Sequence, residues 1–153
     1  MKAALHSYGQ AAELVPQDAA YSRAIGRAYR GLGRIDDAIA QLEEAVASAP
    51  EDGSLRAELA DTFAGKGWLL EALDQYQNAV RLAPDNVGYH RQVGTTLREL
   101  GEYEQAIEAL EEAVAVDTED PRVHYELGRT YTCMGREYEA VAEYRKAAEL
   151  AAE

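Results

Sequence analysis

Apolar residues recur along this chain at helical spacing, in short blocks that stop at regular points. Leu5, Tyr8, Ala11, Ala12 and Leu14 form one stripe over residues 4–15. Ile25, Ala28, Tyr29 and Leu32 form a second over 19–32, and Ile35 with Ala38 through Ala47 a third. Pro16 closes the first block and Pro50 the third, because a proline cannot continue a helix and biases the residue before it away from helical backbone. Gly33 separates the second and third blocks, where a left-handed glycine can close the last turn. The pattern predicts helices joined in antiparallel pairs by very short loops.

The pairs repeat. Pro16, Pro50, Pro84 and Thr118 lie 34 residues apart, and so do Asp18, Asp52, Asn86 and Asp120, each placed to accept from the first free N–H groups of the next helix. Leu59, Phe63 and Gly67 match Ile25, Tyr29 and Gly33; Val93, Leu97 and Gly101 match them again, as do Leu127, Tyr131 and Gly135. In the second helices Ala38, Ala72, Ala106 and Ala140 share one place. Leu42, Tyr76, Leu110 and Tyr144 share another, and Ala45, Ala79, Ala113 and Ala147 a third. Small residues let two helices approach while large ones fill the groove beside them. The expected fold is all-α.

A 34-residue unit with these residues at these offsets resembles the tetratricopeptide repeat, or TPR; Val93-Gly94, Leu97, Gly101, Tyr103, Ala106, Leu110 and Ala113 fit it best. Ser22, Arg56, His90 and His124 stand where that family usually has tryptophan, and Tyr138 is displaced by one residue from a tyrosine place held by Glu137. The resemblance implies one α-solenoid over 1–153, a right-handed superhelix of helix hairpins. Its units would be 19–52, 53–86, 87–120 and 121–153, with 4–15 as an orphan second helix. It also implies a non-enzymatic scaffold for protein–protein interaction.

Composition narrows the partners. No apolar run reaches the roughly 18–20 residues of a membrane span, and no signal peptide opens the chain. The single cysteine, Cys133, excludes an internal disulfide framework and fits a reducing, cytoplasmic setting. A net charge of −13 argues against nucleic acid or an anionic membrane. His90 and His124 share a phase but have no third ligand, so a packing role is expected rather than a metal site. The glycines around Lys66 lack the preceding strand and the Lys-Ser/Thr ending of a phosphate loop. No cofactor and no catalytic constellation is expected.

The average charge hides a split. The four first helices carry nine bases against four acids, a surplus of five, which leaves an excess of 18 negative charges elsewhere. Arg23, Arg27 and Arg30 keep to one helical face, and Arg91 with Arg98 and Arg122 with Arg129 are each seven apart. The family resemblance places first helices on the concave wall, so it implies a groove of these seven arginines with Thr95 and Tyr125, interrupted by Asp61. Arginine's fork of donors suits carboxylates, so an acidic peptide or partner segment is the expected ligand. The competing expectation is that Glu58, Asp61, Glu99 and Glu126 consume the arginines. The lysines and asparagines of chaperone-binding TPR grooves are missing here, so chaperone tails are not expected.

Trp68 and Leu70 form a possible secondary contact, because other units have charged residues in their places. Two alternatives complete the reading: self-assembly into a homo-oligomer through uncapped terminal helices, and an interaction domain excised from a larger protein whose enzyme lies elsewhere.

Overall fold

The computed structural model describes residues 18–152, and these hold eight α-helices and no strand. They are α1 (Ala19–Gly31), α2 (Ile35–Ser48), α3 (Gly53–Lys66), α4 (Leu69–Leu82), α5 (Val87–Leu100), α6 (Tyr103–Val116), α7 (Pro121–Cys133) and α8 (Glu137–Leu150). The helix expected over 4–15 lies outside the described residues. The architecture is an all-α solenoid of helix hairpins. By contacts it forms two compact units, the first ending at Leu82 and the second starting at Ala83.

Local chemistry sets the helix ends. Asp18, Asp52, Asn86 and Asp120 each hold extended backbone and accept from an N–H of the first turn, so every rung of the ladder is an N-cap. Between the helices of each hairpin the chain turns through Gly33, Gly67, Gly101 or Gly135, with φ between 71° and 85°. A side chain at such a φ would be strained, which is why glycine stands there. In each turn the N–H after the glycine donates five residues back, as from Trp68 to the Phe63 carbonyl at 2.9 Å.

Asp52 caps two backbone N–H groups, where each other rung of the ladder caps one. It accepts from the Ser54 and Leu55 N–H groups at 2.9 and 3.3 Å and from the Ser54 hydroxyl at 2.7 Å. That hydroxyl, with help from the backbone N–H groups, outweighs the upward push of burial and holds the Asp52 carboxyl below its ordinary range. Asp52→Ala is therefore expected to destabilise the first unit by about 1 kcal/mol at neutral pH. Because the folded carboxyl titrates low, this contribution is present above the ordinary aspartate range and is lost as pH falls below it. Urea unfolding at neutral and at acid pH measures both parts.

Within the first unit α2 packs on α3, and within the second α6 packs on α7. Ala38, Ala72, Ala106, Ala45, Ala79 and Ala113 have no exposed surface, and Leu42 and Leu110 are equally enclosed beside them. In the second unit Leu110, Ala113, Val123 and Leu127 form the core, with Val87, Ile107, Val114 and Tyr131 against it. Three departures are plain. Tyr138 is 92% exposed, so the displaced tyrosine packs on nothing. Tyr144 is only half-buried, and Ile35, Leu69 and Tyr103 are half-buried rather than core.

Candidate functional site

Arg23, Arg27 and Arg30 of α1 all point at one acid. Glu58 on α3 is 7% exposed and accepts from Arg23 Nε at 2.8 Å and from Arg27 Nε at 2.6 Å, while Arg30 Nη2 stands 3.8 Å away. Burial pushes the Glu58 carboxyl up, but the hydrogen bonds and charges of Arg27 and Arg23 outweigh it and hold it below the ordinary range. Arg30 also reaches the Thr62 hydroxyl at 3.5 Å. Arg23 and Arg27 line a groove of ≈ 650 Å³ with Asp18, Asp52 and Leu55. Asp61 is engaged by the hydroxyl of buried Tyr76, which fixes it to α4.

In the second unit the pairing is looser. Arg98 is enclosed and stands 3.4 Å from Glu126 and 3.8 Å from Glu99, and Arg129 reaches the same Glu126 at 3.4 Å. Arg122 folds back on Asp120 with two bonds, at 2.9 and 2.8 Å. That bidentate bond is the main reason the Asp120 carboxyl titrates low, and Arg91 adds a smaller electrostatic contribution. Among the described residues no carboxylate lies within ion-pair distance of Arg91. Arg91 Nε, Thr95 Oγ1 and Arg98 Nε lie along one face of α5, all buried and all without a hydrogen-bond partner. A groove of ≈ 540 Å³ adjoins this face, lined by Arg91, Arg122, Tyr125, Glu126, Tyr144 and Ala148. Tyr125, 51% exposed, stacks obliquely on Tyr144 at 5.6 Å, with the Arg129 guanidinium 5.9 Å from its ring.

Most arginines of the expected groove thus have an acid of their own within the chain. Six of the seven arginines already lie within ion-pair distance of an acid: five at Glu58 or Glu126, which the competing expectation named, and Arg122 at Asp120, which it did not; Arg91 has none. Glu58, Glu99 and Glu126 were nameable from the chain as rival partners, but Asp120 was missed and the grouping was not legible. Only the tertiary structure shows that three guanidiniums of α1 share one carboxylate of α3.

The positions usually held by tryptophan do a different job here. Arg56 donates to the Pro50 carbonyl at 2.9 Å and to Gln75 on α4 at 3.3 Å. His90 meets the Pro84 carbonyl at 2.8 Å and Glu112 on α6 at 3.3 Å; His124 meets the Thr118 carbonyl at 3.4 Å and Glu143 on α8 at 2.7 Å. Each polar side chain clamps the carbonyl six residues before it to the second helix of its own hairpin. Sequence reasoning identified a packing role for the histidines and missed the clamp, whose signal was the constant six-residue offset. No group of three metal-ligating side chains occurs among the described residues.

Comparison with known proteins follows the repeat. Models described as tetratricopeptide repeat match residues 2–40, 23–87 and 121–153, and one described as TPR repeat matches 94–135. Among solved structures, a crystal structure of MamA is 23% identical, with a TM-score of 0.87 over 95% of this chain and 85% of that one. MamA from Desulfovibrio magneticus RS-1 is 21% identical, with a TM-score of 0.88 over 97% and 84%. YrrB, described as a TPR protein with an unusual peptide-binding site, is 23% identical, with a TM-score of 0.84 over 97% and 77%. No curated protein matches the chain by sequence.

Proposed function

Because the chain belongs to the tetratricopeptide repeat family, we propose that it is a non-enzymatic protein–protein interaction scaffold whose first helices take an acidic segment of a partner. The observation that carries this reading is Arg91, a groove-lining guanidinium with no carboxylate of its own beside Arg122 and exposed Tyr125. An incoming carboxylate finds a charged fork there, and burial in a groove strengthens such a bond over its worth in open water. Tyr125 offers apolar area at low entropic cost, as aromatic anchors do at interfaces. YrrB, similar in fold, is described as binding peptide, which supports the class of ligand and not its charge.

The arginines already paired do not contradict this. Glu58 sits among Arg23, Arg27 and Arg30 as an acidic ligand would.

The test is fluorescence polarisation with a glutamate-rich peptide, its lysine counterpart, and the Arg91→Glu and Arg122→Glu variants. The acidic peptide alone is expected to bind, with each reversal weakening it about tenfold or more, as for loss of a charge-assisted contact. Equal binding of both peptides, or no effect of Arg91→Glu, overturns the reading.

A further inference from the structure

The first unit carries an apolar groove that the arginine face does not explain. It lies between α2, α3 and α4 and encloses ≈ 590 Å³, within the roughly 300–1,000 Å³ typical of ligand sites. Leu59 and Phe63 form its buried floor, Val46 and Ala47 one side, and Leu70 the other. Leu70 is 69% exposed, a high value for a leucine. Two of the three equivalent positions hold Asp36 and Glu104, and the third an exposed Tyr138, so neither helix geometry nor hairpin packing demands an apolar residue there. Trp68, 42% exposed, extends the surface: it stacks on Phe63 with ring centres 6.0 Å apart, where other units have Arg34, Glu102 and Arg136. Exposed leucine and tryptophan together on an apolar floor mark a contact surface.

The rim gives the charge of what fits. Glu43, Glu71 and Asp74 edge the groove, and among the described residues no base pairs with any of them. Asp74 accepts only from the amides of Gln75 and Asn78. The one base in the lining, Arg56, donates to the Pro50 carbonyl and to Gln75. Lys66, over the Trp68 ring, is paired with Asp36. An apolar floor between uncompensated carboxylates complements a leucine or phenylalanine flanked by lysine or arginine, the opposite charge to the ligand of the arginine face.

We propose that this groove docks an amphipathic, basic helix of a partner protein, its apolar anchors between Leu59, Phe63 and Leu70 and its cations against Glu43 and Glu71. Helices commonly enter such grooves by anchors spaced three to four residues apart. The inference does not depend on the acidic-peptide reading, since it uses other residues and the opposite charge.

Trp68 is the only tryptophan in the chain, so its emission reports occupancy directly. The probe is a synthetic amphipathic helix of about 15 residues with leucine anchors and lysine flanks. Two controls accompany it, one with glutamate flanks and one with serine in place of the anchors. The lysine–leucine peptide is expected to shift the emission saturably. Leu70→Asp, which imitates Asp36, should weaken it about tenfold or more while leaving the circular dichroism unchanged, and Glu43→Lys with Glu71→Lys should do the same. Three results overturn the proposal: no saturable shift, equal binding of the glutamate-flanked peptide, or binding unaffected by Leu70→Asp. So does a peptide-free emission shift that follows protein concentration, which would make a second copy the occupant.

Discussion

Gly94→Ala is expected to destabilise the second unit by about 2–3 kcal/mol, an unusual cost for one methyl group on a helix. A Cβ at residue 94 would stand 2.5 Å from Leu110 Cγ, 2.9 Å from its Cδ2 and 3.1 Å from the Ala106 carbonyl oxygen. Leu110 is fully buried and cannot swing aside, so α5 must move away from α6. Alanine's advantage in helix propensity, about 1 kcal/mol, is too small to reverse the sign. The other helical glycines grade the effect. At Gly128 the added carbon meets the Tyr144 ring at 2.7 Å, but that half-buried ring can turn outward, so the loss is smaller. At Gly26 the added carbon meets Leu42 Cγ at 3.0 Å and the Ala38 carbonyl oxygen at 3.3 Å, looser than at Gly94, so a smaller loss is expected after alanine's helix propensity offsets part of it. Gly65 has no neighbour within 4 Å, and alanine there should stabilise by up to ~1 kcal/mol. Urea unfolding followed by circular dichroism ranks the four; a Gly94→Ala protein as stable as the parent would refute the packing account.

The second large effect concerns Glu58, and its two halves are unequal. Removing both Arg23 and Arg27 leaves an enclosed carboxylate without its strongest partners, which is expected to cost the first unit about 3 kcal/mol. Glu58→Gln leaves the guanidiniums unpaired instead. Because Arg27 and Arg30 are roughly half exposed, water can take them back, and the expected cost falls to about 1–2 kcal/mol. Trp68 emission during urea unfolding compares them within the same unit. The pH dependence has a definite sign. The Glu58 carboxyl titrates below its ordinary range in the fold, so its contribution is whole above that range and disappears as pH falls through the depressed value. Glu58→Gln should flatten that acid limb. The same substitution should tighten the acidic peptide severalfold at the α1 face by vacating the guanidiniums, so unchanged or weaker binding would assign them to stability alone.

Much of the fold was legible because it is local. Asp52 reaches N–H groups two and three residues on, and Gly67 adopts a positive φ that its own missing side chain permits. Such bonds depend on spacing along the chain, and a 34-residue repeat states the spacing four times. The small–large alternation of Ala106, Leu110 and Ala113 was legible for the same reason. Tyr138 shows the limit: one residue of displacement from the place that half-buried Tyr103 holds in its own unit leaves the ring nearly bare.

The candidate sites divide differently. That arginines gather on first helices is a property of the sequence, read by sorting charges over helical faces. Whether each guanidinium meets a partner or a carboxylate of its own is a matter of a few ångströms between helices more than 25 residues apart, as with Arg23 and Glu58 or Arg98 and Glu126. Helical phase gives direction but not that distance. Charge interaction falls off with distance and solvent exposure, so the reach from α1 to Glu58 and from α5 to Glu126 decided which arginines are occupied. The sequence determined the helices, their caps and their repeat, because those rest on neighbours along the chain. Tertiary structure alone determined that Arg91 has no acid and that Leu70 stands open above a buried floor, because those facts rest on what neighbouring helices bring within reach.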